Sequence, residues 1–344
     1  MNEGKKSLDP NLTYTNGLLH YTKILAVLSA IMLLILTILL NQYQAESQSK
    51  QSSPLHTTLP TVSAIPDDFV IPAFPETEEG KLAAYGKRII TETYAEIGPG
   101  TRLGITGNRL ACSSCHLNAG TKAYAAPYIG LSGLFPIYIG RENKVVSLEE
   151  RINGCFERSM NGKAIDVNSL TMRAIISYIK HISADVPVGK RMEGQGFVDF
   201  KAPERAANPK EGSLVYQNRC ASCHGAQGEG LQGSNGHREA GYIYPPLWGD
   251  DSYNDGAGMA RLLTAARFIK GNMPLGVQHD SPLLTDAEAY DVAAYINSHN
   301  RPSKAQKELD YPDLTKKPKD CPYPPYADHI SQEQHKFGPY TFVK

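Results

Sequence analysis

The chain has 344 residues, 41% of them hydrophobic, and a formal net charge of zero at pH 7. That length holds two compact domains plus tails, at about 100–150 residues per domain. The charge balance offers no basic footprint for a nucleic-acid partner.

In chain order, the first feature is Ile24 to Leu40, an unbroken uncharged apolar run. It reaches the lower limit for a membrane-spanning helix, roughly 17–25 residues. Lys5, Lys6 and Lys23 precede it, which predicts a cytoplasmic N-terminus, and Tyr21 and Tyr43 suit the two interfaces. The rival is a cleaved signal peptide. Its apolar region is usually shorter, about 7–15 residues, and Ala45-Glu46-Ser47 is a poor cleavage site. Residues 1–43 therefore read as cytoplasmic end and membrane anchor (or signal), with everything after them exported. Residues 44–77 are polar, rich in Ser, Thr and Pro, and read as a flexible tether.

From Glu78 the chain repeats itself. "EGKLAAY" at Glu79 is similar to "EGSLVY" at Glu211, "CSSCH" at Cys112 matches "CASCH" at Cys220, and "SYIKHIS" at Ser177 is similar to "AYINSHN" at Ala294. Three features in the same order, twice, predict two copies of one unit. Each copy reads as a helix, a Cys-x-x-Cys-His motif, a long Gly/Pro-rich segment and a closing helix. The predicted units are 78–190 and 208–301, joined by a linker at 191–207 and followed by an extended tail over 302–344. Strand-like alternation is scarce. The predicted architecture is mainly α, with two tandem class I cytochrome c-like haem domains, an N-terminal transmembrane helix and an extended C-terminal tail.

Cys-x-x-Cys-His is the attachment motif of c-type haem: both thiols bond the macrocycle, and the histidine lies under the iron. A zinc site would need two more well-spaced ligands per motif, and a thioredoxin-like pair a βαβ setting. The reading is two covalently bound haem c groups. Haem 1 takes Cys112, Cys115 and His116; haem 2 takes Cys220, Cys223 and His224. Small, loop-rich units of this kind gain buried surface from such cofactors.

The distal ligands need separate arguments. For haem 2 the candidate is Met273 in "IKGNMPLG", because a thioether raises the iron potential. Met259, His237, His279 and Lys270 compete with it. For haem 1, Met172 falls within the closing helix and reads as core, which leaves Met160 and Cys155. Ser147 and Glu150 form a capping box that starts a helix near Leu148, and Gly162 could end it. Arg151, Cys155 and Ser159 then share one face, while Met160 points elsewhere. Three readings of Cys155 stand open: an inert buried thiol, a disulfide to Cys321, or a thiolate ligand favoured by Arg151 and Arg158.

"CSSCHLNAG", "RINGCFERSMNGK", "KGNMPLG" and "PYPPYAD" together resemble the dihaem thiosulfate dehydrogenases, some of which act chiefly as tetrathionate reductases. The resemblance runs from about Glu78 to Asp328. It implies oxidation of two thiosulfates to tetrathionate, or the reverse. It implies Cys155 as distal ligand of the active-site haem, with Arg141, Arg151 and Ser159 around it. Some members carry a lysine directly before the haem 2 methionine; this sequence has Asn272 there, which puts a lysine–methionine ligand exchange in doubt. Cys321 reads as a structural thiol. The partners implied are thiosulfate, tetrathionate, and an electron-accepting or -donating cytochrome or quinone-linked enzyme, in the periplasm and tethered to the inner membrane by residues 24–40. Residues 78–190 carry 14 Lys+Arg and 10 Asp+Glu, residues 205–301 carry 8 and 10, so the anionic substrates favour the first unit. The alternative function is a dihaem electron-transfer cytochrome without substrate chemistry. A dihaem peroxidase and a sulfur-oxidising subunit that works only within a complex are further rivals.

Overall fold

The computed structural model describes residues 10–51, 64–233 and 241–341. Lys5, Lys6, His237 and tether residues 52–63 lie outside the described residues. The chain forms two compact units, 1–61 and 62–344. The described residues of the first form one helix, α1 (Pro10–Gln51), which continues through the start of the predicted tether. Its segment Tyr21–Tyr43 is 23 residues long, apolar enough to cross a membrane, and exposed all round.

The second unit holds both motifs. In chain order it contains α2 (Glu78–Thr91), the single turn α3 (Thr93–Glu96), the short turn α4 (Leu117–Gly120), a hairpin of β1 (Ile137–Ile139) and β2 (Lys144–Val146), α5 (Leu148–Arg158) and α6 (Leu170–His181). Then follow α7 (Pro209–Arg219), α8 (Ala221–His224), a hairpin of β3 (Leu231–Gln232) and β4 (Tyr242–Tyr244), α9 (Leu262–Asn272), α10 (Asp286–Ser298) and, in the tail, α11 (Gln332–Phe337).

The helices start where their side chains satisfy the free N–H groups of a first turn. Thr77 caps α2, Ser169 caps α6, and Asn208 caps α7 with Pro209 at its first position. Ser147 with Glu150 and Thr285 with Glu288 form capping boxes on α5 and α10. In each half the opening and closing helices cross at a glycine. A Cβ on Gly86 would lie 2.0 Å from the Ala174 carbonyl oxygen, and one on Gly212 2.0 Å from that of Asp291. Gly86→Ala and Gly212→Ala should each force the crossing helices apart and cost about 1–3 kcal/mol, read as a lowered melting temperature with both haems attached. Unchanged melting would show that the crossings relax freely.

Ile89, Ile90, Phe156, Met172, Ile175, Tyr178 and Ile179 fill the first core; Tyr216, Leu262, Ala266, Tyr290, Val292 and Ala293 fill the second. Met172 is fully buried on α6, as core. The end of the expected tether and the expected linker are both packed. Ile65 is buried and Phe69, Ile71 and Phe74 pack on the first core, so ordered chain begins before Glu78. In the expected linker, Gly194 and Gly196 carbonyls accept from Tyr124 and Ala126 N–H at 2.7 Å, and Val198 is buried. Bulky apolar residues among the prolines, with backbone groups needing partners, favour docking over a loose chain.

The tail packs with its own buried cluster of Tyr311, Cys321 and Tyr323. Asp310 accepts two hydrogen bonds from Arg158 at 2.6 and 2.8 Å, and Asp320 accepts from Arg261 at 2.9 Å, so it is pinned to both halves. Arg158 was expected beside Cys155; its guanidinium instead turns to the tail, where a carboxylate answers its buried charge. Cys155 and Cys321 are both free thiols, which removes the disulfide reading.

Candidate functional site

Two adjoining cavities carry the two motifs. The first is walled by Cys112, Cys115, His116, Tyr128, Ile175 and Ile179 on one part, and by Ile152, Cys155, Phe156, Ser159 and Met160 on another. The second is walled by Cys220, Cys223, His224, Pro245, Leu247, Phe268, Ile269 and Met273. Leu110, Ala111, Cys115, Tyr253 and Met259 line both, so the cavities share a wall.

The motif histidines are prepared alike. His116 Nδ1 lies 2.6 Å from the Ala126 carbonyl oxygen, and His224 Nδ1 lies 2.8 Å from that of Pro245. A carbonyl acceptor places the ring proton on Nδ1 and leaves the Nε2 lone pair for a metal. Burial pushes His116 down to about 4 and lowers His224, so both rings are neutral at pH 7. Ala126 is itself held by the Gly196 carbonyl, which makes the docked linker part of the His116 support. Burial also pushes the thiols up, Cys112 to about 11, Cys115 to about 12 and Cys220 to about 11. Each cavity thus offers two thiols, one oriented imidazole and an apolar wall, the donor set that covalent haem attachment uses.

Helix α5 brings three predicted residues together. Arg151 Nη1 donates to Cys155 Sγ at 3.0 Å, as a spacing of four allows, and Cys155 and Ser159 face the first cavity. Arg141 sits elsewhere. Its carbonyl accepts from Tyr311 N–H at 2.8 Å, its guanidinium lies 5.9 Å from the Tyr311 ring, and its Nε is buried without a hydrogen-bond partner among the described residues. Met160 departs from expectation and reaches the cavity. The helix ends at Arg158 rather than Gly162, Met160 N–H returns to the Cys155 carbonyl, and Asn161 takes the left-handed conformation, φ 45°. Leaving helical geometry swings the thioether inward.

At the second cavity Met273 caps α9 and lines the wall. Lys270 pairs with Asp286 at 2.6 Å, and His279 pairs with Asp67 at 3.4 Å; neither lines it. Asn272 is fully buried and donates to the Tyr124 and Phe268 carbonyls at 3.1 Å. In the sequence Met259 reads only as a rival ligand, and Tyr253 carries no signal. Their shared position depends on how the halves pack, which leaves no local pattern.

Comparison with known families agrees with this construction. Residues 209–300 match the cytochrome c family model, and residues 106–188 match the model described as SoxA/TsdA, cytochrome c domain. The fold and the paired cavities define a dihaem c-type cytochrome with two covalently bound haem c groups. The chain is 43% identical over 253 residues to a thiosulfate dehydrogenase of Psychrobacter arcticus, covering 74% of this chain and 72% of that one. It is 39% identical to a thiosulfate dehydrogenase of Allochromatium vinosum, covering 71% and 84%. A solved thiosulfate dehydrogenase (TsdBA) of Marichromatium purpuratum superposes with a TM-score of 0.63 at 37% identity, covering 69% of this chain and 50% of that one, so the chain spans half its length. The chain belongs to the thiosulfate dehydrogenase family.

Proposed function

We propose that this protein joins two thiosulfates into tetrathionate, or runs the reverse, on the exported side of a membrane that residues 24–40 anchor. The observation that carries this reading is the Arg151–Cys155 contact on the wall of the first cavity. An arginine N–H offered to sulfur suits an anionic sulfur, the form that ligates iron and attacks sulfur. Cys112, Cys115 and His116 would hold haem 1, with Cys155 as distal ligand; Cys220, Cys223, His224 and Met273 would hold haem 2. When bound, the haems supply one-electron redox capacity, and two of them match the two electrons released.

The chain's own task is electrostatic and nucleophilic. Two dianions about 6 Å apart repel by roughly 3 kcal/mol in water and about 11 kcal/mol at an effective dielectric near 20. Arg151 offsets that repulsion beside the reacting sulfur, Arg141 adds positive charge from the tail side, and the Ser159 hydroxyl offers a donor to a sulfonate oxygen. Cys155 thiolate bonds the outer sulfur of one thiosulfate, releasing two electrons and leaving a cysteinyl thiosulfonate. The outer sulfur of the second thiosulfate attacks the sulfur bonded to Cys155; the Cys155 bond breaks, tetrathionate leaves and the thiolate returns. Electrons pass to a cytochrome or quinone-linked partner.

The test is anaerobic turnover of the purified holoprotein with thiosulfate and an artificial one-electron acceptor. One tetrathionate per two electrons is expected. Absence of both thiosulfate oxidation and tetrathionate reduction would leave a plain electron carrier.

A further inference from the structure

A third cavity opens where the end of α10 meets the tail. Its volume is about 250 Å³, and Asp255, Asn297, Arg301, Lys307, Tyr323 and Lys336 are in its wall. None of its lining residues lines either haem cavity. Asp255 is the one acid among the described lining residues, and its carboxylate is already engaged. It accepts from Lys307 Nζ, from the Lys304 backbone N–H at 2.7 Å and from Ser303 Oγ at 3.3 Å. Arg301 donates to neutral acceptors: the Leu247 carbonyl at 3.3 Å, the Ile296 carbonyl at 3.0 Å and Asn297 Oδ1 at 3.1 Å. The Lys336 ammonium lies 5.0 Å from the Phe337 ring. Among the described residues neither cation forms an ion pair. Burial lowers the Lys336 pKa, exposed Glu333 raises it and Arg301 lowers it, so the two cations bear on each other. Half-buried like charges at one cavity are destabilising unless an anion answers them.

We propose that this cavity is a binding site for a small dianionic oxyanion of the sulfate type, held by Arg301 and Lys336. Two uncompensated cations match two negative charges, and guanidinium and ammonium N–H groups suit tetrahedral oxygens. The volume lies below the roughly 300–1,000 Å³ of pockets for drug-sized ligands, which favours a small ion. Cys155, Arg151 and Ser159 are not in its wall, so the site is separate from the proposed reaction and stands whether or not Cys155 ligates iron. Arg301 links it to the haems. Its guanidinium lies 4.2 Å from the Tyr253 ring, and Tyr253 lines both haem cavities. An anion beside Arg301 offsets its positive charge at that wall, which favours oxidised iron.

The experiment is equilibrium dialysis of labelled inorganic sulfate against the full-length holoprotein, with ionic strength held constant by sodium chloride. Sulfate is the probe because thiosulfate would also react. Wild type, Lys336→Gln and Lys336→Arg are compared. Glutamine removes the charge and keeps a polar side chain; arginine keeps the charge. The expected result is a sulfate bound by wild type at millimolar concentration or below, and about tenfold more weakly by Lys336→Gln, the scale of one lost charge-assisted hydrogen bond. Lys336→Arg should bind it like wild type. In a redox titration, added sulfate should lower a haem midpoint in wild type and leave Lys336→Gln unmoved. Equal sulfate binding by wild type and Lys336→Gln, or none by wild type at millimolar sulfate, overturns the site. Binding that depends on Lys336 with unmoved midpoints overturns the link to the haems alone.

Discussion

Cys155→Ala should lose thiosulfate turnover by about 10³-fold or more, the scale for removing a covalent nucleophile. Mass spectrometry should still find two haems on the variant, because Cys112, Cys115, Cys220 and Cys223 are untouched. A large effect is expected because the proposed reaction uses this one sulfur as resting ligand and as carrier, with Arg151 Nη1 3.0 Å from it. Cys155→Ser separates size from chemistry: it fits the same space and offers a far poorer nucleophile, so its loss should match that of alanine. Retention of more than about a tenth of wild-type activity in either variant, a drop under 1.4 kcal/mol in barrier terms, would remove the covalent step.

The second large effect lies away from the chemistry. Asp310→Ala should cost about 3–5 kcal/mol, the scale for leaving one member of a buried ion pair uncompensated. Arg158 and Asp310 side chains are each only 9% exposed, and Tyr323 donates to the same carboxylate at 2.6 Å. The melting temperature should fall by about 10 °C. Replacing both partners, as Arg158→Met with Asp310→Leu, should recover most of the loss, since an apolar pair carries no stranded charge. A double-mutant cycle reads the coupling; additive losses would show that the pair does not act as a unit. The tail is thus expected to be a structural member of the second unit, in keeping with buried Tyr311, Cys321 and Tyr323.

Several features were legible because they are local. The repeated Cys-x-x-Cys-His motifs, the Ser147–Glu150 capping box and the Arg151–Cys155 spacing each lie within a few residues and follow from helix geometry. What escaped was set by distant chain. Arg158 looked like a neighbour of Cys155 on sequence spacing, but Asp310, 152 residues away, takes its charge. The setting of Arg141 beside the tail, with its carbonyl bonded to Tyr311 N–H, carries no local signal either. Met160 read as facing away because the helix was extended to Gly162, whereas it unwinds after Arg158. The carbonyls that orient His116 and His224 come from Ala126 and Pro245, and backbone acceptors carry no residue signature.

The central claim is that the first cavity presents a cysteine sulfur to haem 1. The most direct measurement is the low-temperature paramagnetic resonance spectrum of the oxidised full-length protein beside that of Cys155→Ala. The expected spectrum holds a low-spin thiolate–histidine signal from one haem and a histidine–methionine signal from the other, with loss of the first signal alone in the variant. Two histidine–methionine signals in wild type, with Met160 in place of Cys155, would contradict it.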